Sequence, residues 1–312
     1  MAKTAPRSSA LDLIGGTPLV DLRRVHPGPG RILAKAEHLQ PGGSVKDRAA
    51  LRVIRDARES GHLAPGQAVI EMTSGNMGSG LAVVCGVLGH PFTAVMPAGN
   101  SPERARMLEA LGAEVVLVPQ VDGQPGEVTG ADVQAATEVA IDLAHRSGAF
   151  YVDQFNNTSC IAAHEEGTGP EIWQVVGDEL DAFVGIVGTG GTFLGTSRYL
   201  KSQRPQILCA AVEPAGAEVL AGKPVVKPKH LLQGTGYGVI PPHWDPALAD
   251  VSLAVSDAEA VEWRRLLAVR EGLHVGFSAG ANVCAAARLL LSGRLPPEAT
   301  VVTILCDTGL KY

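Results

Sequence analysis

A lysine at the predicted start of a helix is the first residue in this sequence that is a candidate for catalysis. The segment "QPGGSVKDRAA", residues 40–50, combines a Pro-Gly-Gly turn with Ser44 and Asp47, which fit a capping box with Ser44 as the N-cap. Lys46 would then lie in the first helical turn, where the positive end of the helix dipole disfavours an ammonium ion. A lysine held in its neutral form can attack a carbonyl carbon.

Two further segments have the composition of anion-binding loops. The segment "GTGGT", Gly188 to Thr192, lies between an apolar strand and a helix, so its backbone N–H groups and threonine hydroxyls would suit a phosphate. It lacks the last glycine of the dinucleotide-binding pattern and the lysine of the nucleoside triphosphate loop. The segment "TSGNMG", Thr73 to Gly78, would suit a carboxylate or a phenolic oxygen. Each segment alone is also compatible with a simple strand-to-helix turn.

One ligand accounts for the lysine and both loops. A phosphorylated aldehyde needs an amine to form a Schiff base with its carbonyl carbon and a loop of N–H donors for its phosphate. A solvated lysine is the ordinary explanation of Lys46 alone, but its combination with the two loops favours a cofactor lysine. The sequence therefore predicts pyridoxal 5'-phosphate as the cofactor.

The elements that must position these residues follow a βαβ pattern. Short apolar stretches without alternation indicate buried parallel strands, and the intervening stretches carry the longer period of helices. Strands are predicted at 69–72, 92–96, 114–118 and near 150–153, with helices at 77–89, 101–111 and about 131–146 and a surface loop at 121–130. The pattern restarts with strands at 182–188, 207–214 and 300–306 and helices at 193–203, 257–271 and 279–291.

Two α/β units in tandem predict two domains with a cleft between them. We expect an N-terminal α/β domain over residues 1–157, whose first 40 or so residues cross over to pack on the other domain. The C-terminal α/β domain, 158–312, would carry the phosphate-binding loop. Both domains are expected to be doubly wound around parallel sheets.

Composition excludes several other classes of protein. The chain has 312 residues, of which 46% are hydrophobic but only 4% aromatic, so the core must be aliphatic. A net charge of −6 and the lack of a basic run argue against nucleic acid as a partner. No apolar run approaches the roughly 20 residues that span a membrane, and the N-terminus lacks the apolar core of a signal peptide, which predicts a cytoplasmic protein.

Cysteine and histidine spacing gives no sign of a metal site. The five cysteines are far apart and have no C-x-x-C spacing, so we expect reduced and mostly buried thiols. The nine histidines form no cluster with the spacing of metal ligands. We therefore predict no bound metal.

A set of motifs that spans nearly the whole chain resembles one enzyme family. The sequence is similar to the β-family of pyridoxal phosphate enzymes, and within it most similar to the cysteine synthases, the O-acetylserine or O-phosphoserine sulfhydrylases, with cystathionine β-synthase cores close behind. The motifs are "IGGTPLV" at 14–20, "GGSVKDRAA" at 42–50, "TSGNMG" at 73–78, "DQFNN" at 153–157, "TGPEIW" at 168–173, "GTGGT" at 188–192 and "EGLHVGFSAGA" at 271–281. The resemblance implies a fold like that of the tryptophan synthase β-subunit, with the cofactor in the interdomain cleft and a homodimeric assembly.

The resemblance also implies a role for individual residues. Lys46 would be the catalytic Schiff-base lysine and the base for the substrate α-proton, and Asn76 would bind the phenolic oxygen of the cofactor. Ser278 would meet the pyridine nitrogen, where a hydroxyl leaves that nitrogen unprotonated. The "QGTGYG" stretch, Gln233 to Gly238, resembles a segment that lines the mouth of the cleft. The implied phosphate ligands are Gly188, Thr189, Gly190, Gly191 and Thr192, and the implied substrate-binding residues are Thr73, Ser74, Gly75, Met77 and Gln154.

The implied reaction is a β-replacement on an activated L-serine. O-acetylserine or O-phosphoserine would lose its leaving group to give an α-aminoacrylate, to which sulfide adds to form L-cysteine. Two departures fall in segments expected to face the substrate: Met77 replaces the usual threonine, and "TSC" at 158–160 replaces the usual residues after "QFNN". The alternatives are therefore an amine nucleophile, giving a diaminopropionate-type product, or β-elimination as a serine or threonine dehydratase.

Overall fold

The computed structural model describes residues 6–124, 126 and 128–312. Contacts among these residues divide the chain into two compact units. The first consists of the described part of Met1–Gly16 with Gln40–Ser159, and the second of Thr17–Leu39 with Cys160–Tyr312. The sequence places the domain boundary after residue 157, and the crossing segment that belongs to the second unit is Thr17–Leu39.

The first unit is built on a four-stranded parallel sheet. The strands are ordered β5-β4-β3-β6, so the chain steps outward from β3 and then returns to its other side with β6. The order of winding thus reverses between β3 and β6, and in such sheets ligands bind where the winding reverses. The elements are α1 (Lys46–Glu59), β3 (Val69–Met72), α2 (Asn76–Leu88), β4 (Phe92–Pro97), α3 (Pro102–Ala110), β5 (Glu114–Val118), α4 (Gly130–Ser147) and β6 (Phe150–Tyr151).

Helix α4 shows how the sequence specifies an element of this unit. Thr129 and Asp132 form a reciprocal capping box, in which Thr129 Oγ1 accepts from Asp132 N–H at 3.3 Å and Asp132 Oδ2 accepts from Thr129 N–H at 2.9 Å. Gly148, with a φ of +66°, ends the helix in the left-handed conformation. One face carries three buried alanines that pack on Ile70, Val95 and Val118 of the sheet; they are Ala136, Ala140 and Ala144.

The second unit is built on a six-stranded sheet in the order β1-β2-β10-β7-β8-β9. All its strand pairs are parallel except β1 with β2, which is antiparallel and differs from the all-parallel prediction. The winding reverses between β7 and β10. The elements are β1 (Leu19–Asp21), β2 (Arg31–Lys35), α5 (Ser159–Ala163), α6 (Gly169–Val176), β7 (Leu180–Ile186), α7 (Gly191–Gln203), β8 (Leu208–Pro214), β9 (Val251–Val255), α8 (Asp257–Leu266), α9 (Phe277–Leu290) and β10 (Thr300–Ile304).

Helix α9 lies in the core of the second unit. Most of its residues are buried, many of them alanine or glycine, which lets the helix pack closely on β7 and β10. A helix that is apolar on nearly all sides is typical of such a central position. The five cysteines are free thiols, and all except Cys306 are buried. Within the described residues, no helix is both long enough and apolar enough to cross a membrane.

The predicted strands and helices agree with the structure to within three residues at most ends. One exception is the predicted helix 257–271, which is α-helical to Leu266 and π-helical over Leu267–Glu271. Strands β1, β2 and β9 and the helical segment from Ser159 to Val176 were not predicted from the sequence. Residues 125 and 127 of the predicted surface loop, and residues 1–5 of the N-terminus, lie outside the described residues.

Candidate active site

Lys46 is the first residue of helix α1 and is half-buried. The helix begins one residue later than the predicted capping box requires, since its N-cap is Val45 instead of Ser44. Ser44 Oγ accepts from the N–H of Lys46 at 3.3 Å. The fully buried carboxylate of Asp47 accepts from the N–H of Gly42 in the preceding turn. Asp47 thus fixes the loop that leads to Lys46.

Helices α1 and α2 pack together at their N-terminal turns. A Cβ at Gly80 would lie 3.1 Å from the Cβ of Ala50 and 3.2 Å from the Cα of Asp47, so only glycine allows this approach without a shift. Asn76 is the first residue of α2, one turn before Gly80. Lys46 and Asn76 therefore occupy the first turns of two helices in direct contact within the first unit.

The "TSGNMG" loop, Thr73 to Gly78, joins β3 to α2 and is held by its own threonine. The buried Thr73 Oγ1 accepts from the N–H groups of Gly78 at 3.1 Å and Gly75 at 3.4 Å. Gly75 is the N-cap of α2, and apart from its chain neighbours no heavy atom of the described residues lies within 4 Å of the place where its Cβ would be. The loop thus leaves open space beside the N–H groups of a helix N-terminus, which suits a carboxylate.

Two further residues, Arg104 beside this loop and Met77 within it, bear on ligand recognition. Arg104 of α3 donates from Nη1 to Ser74 Oγ at 3.4 Å, which brings a guanidinium to the loop. Sequence reasoning missed Arg104, because its position in an exposed helix gives no local signal. Met77 is only 2% exposed, so its thioether packs in the interior of the first unit.

Gln154 is held by a buried glutamate that sequence reasoning also missed. Glu71, the third residue of β3, accepts from Gln154 Nε2 at 3.1 Å and from the N–H of Asp153 at 2.9 Å. Burial raises the pKa of Glu71 to about 8, although these hydrogen bonds act in the opposite direction. Asp153 has a φ of +52°, a conformation uncommon for residues other than glycine. A carboxyl in the apolar strand "VIEM" was the available signal.

The carboxylate-binding candidates of the first unit lie between β3 and β6, where the order of winding reverses. Thr73 and its loop follow β3, Gln154 follows β6, and these strands are parallel neighbours with Ile70 opposite Tyr151. Glu71 connects the two strand ends through Gln154 and Asp153. The structure therefore brings together the predicted substrate-binding residues Thr73, Ser74, Gly75 and Gln154.

The "GTGGT" loop, Gly188 to Thr192, joins β7 to the N-terminus of α7. Gly190 precedes the helix with a φ of +94°, a conformation that L side chains rarely adopt. A Cβ at Gly188 would overlap the carbonyl oxygen of Gly234, so the "QGTGYG" segment packs directly on this loop. Thr189 is buried and Thr192 is partly exposed in the first turn of α7. First-turn N–H groups have no intrahelical acceptor and are available to an anion.

Ser278 lies in the first turn of α9 and is 7% exposed. One turn later, the fully buried Asn282 accepts from the N–H of Ile186 at 2.7 Å and donates to the carbonyl of Ile304 at 2.9 Å. Asn282 therefore ties α9 to the carboxyl ends of β7 and β10, where the second sheet reverses. The "GTGGT" loop starts from that same end of β7. An amide within the apolar run "GANVCAAA" was the signal that could have identified Asn282.

The departure from the family pattern at residues 158–160 has a structural explanation. Ser159 Oγ donates to Asp56 Oδ2 at 2.6 Å, and Asp56 also accepts from Arg52 Nε at 2.7 Å. Both partners belong to α1, so the serine anchors the segment after "QFNN" to that helix. Cys160 is buried, and its carbonyl oxygen would lie 2.9 Å from a Cβ at Gly191.

The donor sets of the two units fit pyridoxal phosphate. The second unit offers a helix N-terminus beside glycines and threonines, which suits a phosphate dianion. It also offers the hydroxyl of Ser278, and the first turn of α9 contains no acidic residue. The first unit offers a half-buried lysine and an amide side chain on adjacent helix starts. The open space at Gly75 would accept a small carboxylate.

Comparison with protein families gives one match over almost the full length. The model described as "Pyridoxal-phosphate dependent enzyme" matches residues 10–307. Among curated proteins, the chain is 42% identical over 311 residues to a probable cysteine synthase of Bacillus subtilis, covering 98% of this chain and 96% of that protein.

Solved structures show the same similarity. A hydrogen sulfide-producing enzyme from Fusobacterium nucleatum superposes with a TM-score of 0.91 at 34% identity, covering 99% of both chains. An O-ureido-L-serine synthase superposes with a TM-score of 0.89 at 36% identity, covering 99% of this chain and 94% of the other.

Proposed function

The chain belongs to the family of pyridoxal-phosphate-dependent enzymes that includes the cysteine synthases, and from this premise we propose a β-replacement reaction. The substrate would be an activated L-serine, O-acetylserine or O-phosphoserine, and the product L-cysteine formed with sulfide. The similarity to the probable cysteine synthase of Bacillus subtilis across 98% of the chain supports this reaction.

The observation that carries the proposal is the clustering of carboxylate-binding groups at the ends of β3 and β6. Thr73 uses its oxygen as an acceptor for two backbone N–H groups, so its own hydroxyl proton is available to a ligand. The N-terminus of α2 and the amide of Gln154 add further donors. A site of this kind suits the α-carboxylate of an amino acid.

Lys46 would move the α-proton of the substrate. Pyridoxal phosphate, when bound, supplies an electron sink that stabilises negative charge at the α-carbon. The helix start disfavours the ammonium form of Lys46, so its amine can accept the α-proton and return it after sulfide has added. Asn76 would hold the phenolic oxygen of the cofactor, and Gly188 to Thr192 its phosphate. Ser278 would offer a hydroxyl to the pyridine nitrogen.

One observation favours a second candidate reaction. The "TSGNMG" loop has a buried methionine where the related motif has a threonine, so one hydroxyl is absent from the loop expected to meet the substrate. An O-ureido-L-serine synthase is also among the similar structures. The alternative is therefore β-replacement by another nucleophile, such as an amine giving a diaminopropionate-type product, or β-elimination of serine or threonine. In either case we propose a cytoplasmic homodimer.

The test begins with the visible absorption of the protein loaded with pyridoxal phosphate. O-acetyl-L-serine is added alone, and sulfide follows. We expect the cofactor band to shift with the first addition and to return with the second, as L-cysteine is released. Lys46→Ala protein should produce no cysteine.

Other substrates separate the alternatives. A band that does not respond to O-acetyl-L-serine but responds to O-phospho-L-serine would change the leaving group only. Formation of a diaminopropionate from an amine, or of a keto acid from serine or threonine, without cysteine formation from either activated serine would overturn the sulfide reaction. A protein that binds no pyridoxal phosphate would overturn the whole proposal.

A further inference from the structure

A π-helical turn interrupts the helical segment that precedes β7. The chain is α-helical over Ser159–Ala163, π-helical over His164–Thr168 and α-helical again over Gly169–Val176. The turn begins at His164 and ends at Thr168, which are 1% and 0% exposed. Single π-turns within α-helices frequently occur at functional sites.

The π-turn packs so closely on the first turns of α7 that the two backbones are in contact at Gly195. A Cβ at Gly195 would overlap the carbonyl oxygen of Ile161 and would lie 2.9 Å from the Cβ of His164. Gly195 is three residues after Thr192, on the same face of α7. The absence of a side chain at Gly195 thus lets the imidazole of His164 reach the first turn of α7.

The imidazole connects two threonine hydroxyls. His164 Nδ1 lies 2.8 Å from Thr168 Oγ1, and His164 Nε2 lies 3.2 Å from Thr192 Oγ1. Thr192 is the last residue of the "GTGGT" loop. Among the residues that the structure describes, His164 Nδ1 is the hydrogen-bond partner of the Thr168 hydroxyl.

The direction of these hydrogen bonds follows from the burial of Thr168. A buried hydroxyl needs an acceptor for its proton, and Nδ1 can provide it when it carries no hydrogen. A neutral ring then carries its hydrogen on Nε2, which donates to Thr192 Oγ1. Since Thr192 accepts from the ring, its own O–H can donate to a third group. If Thr192 Oγ1 donated to His164 Nε2 instead, its proton would be used within the protein. The lone pairs of Thr192 Oγ1 would then face the anion and repel it.

We propose that Thr168 and His164 are positioning residues that orient the Thr192 hydroxyl as a donor to the cofactor phosphate. The donors run in one direction, from Thr168 O–H to His164 Nδ1, from His164 Nε2–H to Thr192 Oγ1, and from Thr192 O–H to the anion. This inference rests on the phosphate role of the "GTGGT" loop given under the proposed function. The ligand in this proposal is the phosphate group, on which Thr168 and His164 would act through Thr192.

The first test measures binding of pyridoxal phosphate to the cofactor-free protein. Thr168→Val removes the hydroxyl and keeps the shape, and Thr168→Ser keeps the hydroxyl. We expect Thr168→Val to weaken binding by about tenfold, as for the partial loss of one hydrogen bond to a charged group, and Thr168→Ser to stay near wild type. Pyridoxal, which has no phosphate, should bind both variants as it binds the wild type.

Thr196 provides a matched control on the same helix. Its hydroxyl is buried one turn after Thr192, and Thr196 Oγ1 has no hydrogen-bond partner in the described structure. Thr196→Val makes the same chemical change as Thr168→Val without touching the three-residue chain. We expect its affinity for pyridoxal phosphate to equal that of the wild type.

A second test uses only the wild-type protein, so it does not depend on whether a variant folds. In ¹⁵N-histidine-labelled wild-type protein, the His164 ring should show a protonated Nε2 and an unprotonated Nδ1, both with and without the cofactor. A ring protonated at Nδ1, or equal affinities of wild type and Thr168→Val for pyridoxal phosphate, would overturn this inference and leave the proposed function intact. A wild-type protein that does not bind pyridoxal phosphate would overturn the proposed function itself.

Discussion

The Nζ atom of Lys35 lies 2.6 Å from Glu171 Oε2, although the two residues are 136 positions apart in the chain. Lys35 ends β2 and is 1% exposed, so its ammonium group is almost completely removed from water. Nζ also donates to Thr17, to its Oγ1 at 2.7 Å and to its carbonyl oxygen. Lys35 thus connects Thr17 of "IGGTPLV" to Glu171 of "TGPEIW" within the second unit.

The two ends of this ion pair should respond differently to substitution. Glu171→Gln leaves a buried ammonium group without its counter-charge and should lower the free energy of unfolding by about 3 kcal/mol. Lys35→Met leaves a carboxylate that is 25% exposed and can be hydrated, so its cost should be less than half as large. Urea denaturation of the two variants and the double variant measures both costs and their coupling. Equal losses from the two single variants would contradict this account.

The sequence predicted the parts of the fold and site that depend on local signals. The βαβ periodicity identified the first sheet, and the glycine-rich loops identified the helix N-termini where anions can bind. Contacts between distant segments carry no such signal. The pairing of Lys35 with Glu171 and the antiparallel strand β1, opposite β2, depend on tertiary structure alone.

Single polar residues inside apolar stretches were the signal that sequence reasoning left unused. Glu71 in β3 and Asn282 in α9 each hold two strand ends together at the point where a sheet reverses. A buried polar side chain must find partners, so its presence indicates a contact even where its partner is unknown. His164 could not be found in this way, because its role depends on a π-turn that has no sequence signature.

Glu71 should make the stability of the protein depend on pH. Its pKa in the folded protein, about 8, lies above its ordinary value of 4.5, so between these values the folded state holds a proton that the unfolded state has released. Stability should therefore fall as the pH rises from about 5 to 8, by at most roughly 1.4 kcal/mol per pH unit from this group. The negative charge of the neighbouring Asp153 raises the pKa of Glu71 further, because it repels the ionised form of that carboxyl.

The Glu71→Gln variant isolates this effect. It has no proton to lose in this range, so its free energy of unfolding should decline less steeply between pH 5 and 8 than that of the wild type. Urea denaturation at a series of pH values measures the difference. Parallel pH profiles for the two proteins would show that Glu71 does not titrate in this window.

The Met77→Thr variant tests whether the methionine in the "TSGNMG" loop determines which substrate the enzyme uses. Met77→Thr restores the hydroxyl of the related motif, and for a cysteine synthase it should raise kcat/KM for O-acetyl-L-serine and sulfide by about threefold to tenfold, the worth of one added hydrogen bond. Because Met77 is buried, the shorter side chain should also cost about 2 kcal/mol of stability. Met77→Leu, which keeps the volume and adds no hydroxyl, is the control. Unchanged or lower kcat/KM in Met77→Thr would favour a different nucleophile.

Arg104 should contribute to binding of the substrate carboxylate through Ser74. Its guanidinium donates to Ser74 Oγ, which leaves the serine proton directed away from the arginine and adds positive charge beside the loop. We expect Arg104→Met to raise the KM for the amino-acid substrate by about tenfold and to change kcat much less, because the lost interaction is present in both the bound substrate and the transition state. Steady-state kinetics at saturating nucleophile separates the two parameters.

Arg106, two residues along the same helix, is the matched control for Arg104. It forms an exposed ion pair with Glu103 at 3.5 Å, and both side chains are 71% exposed. Such pairs contribute little, so Arg106→Met should leave the KM for the amino acid near its wild-type value. If both variants raise the KM equally, the effect comes from the overall charge of α3 and the contact between Arg104 and Ser74 has no specific role. If Arg104→Met lowers kcat and leaves the KM unchanged, the loop acts on the chemical step instead of on carboxylate binding.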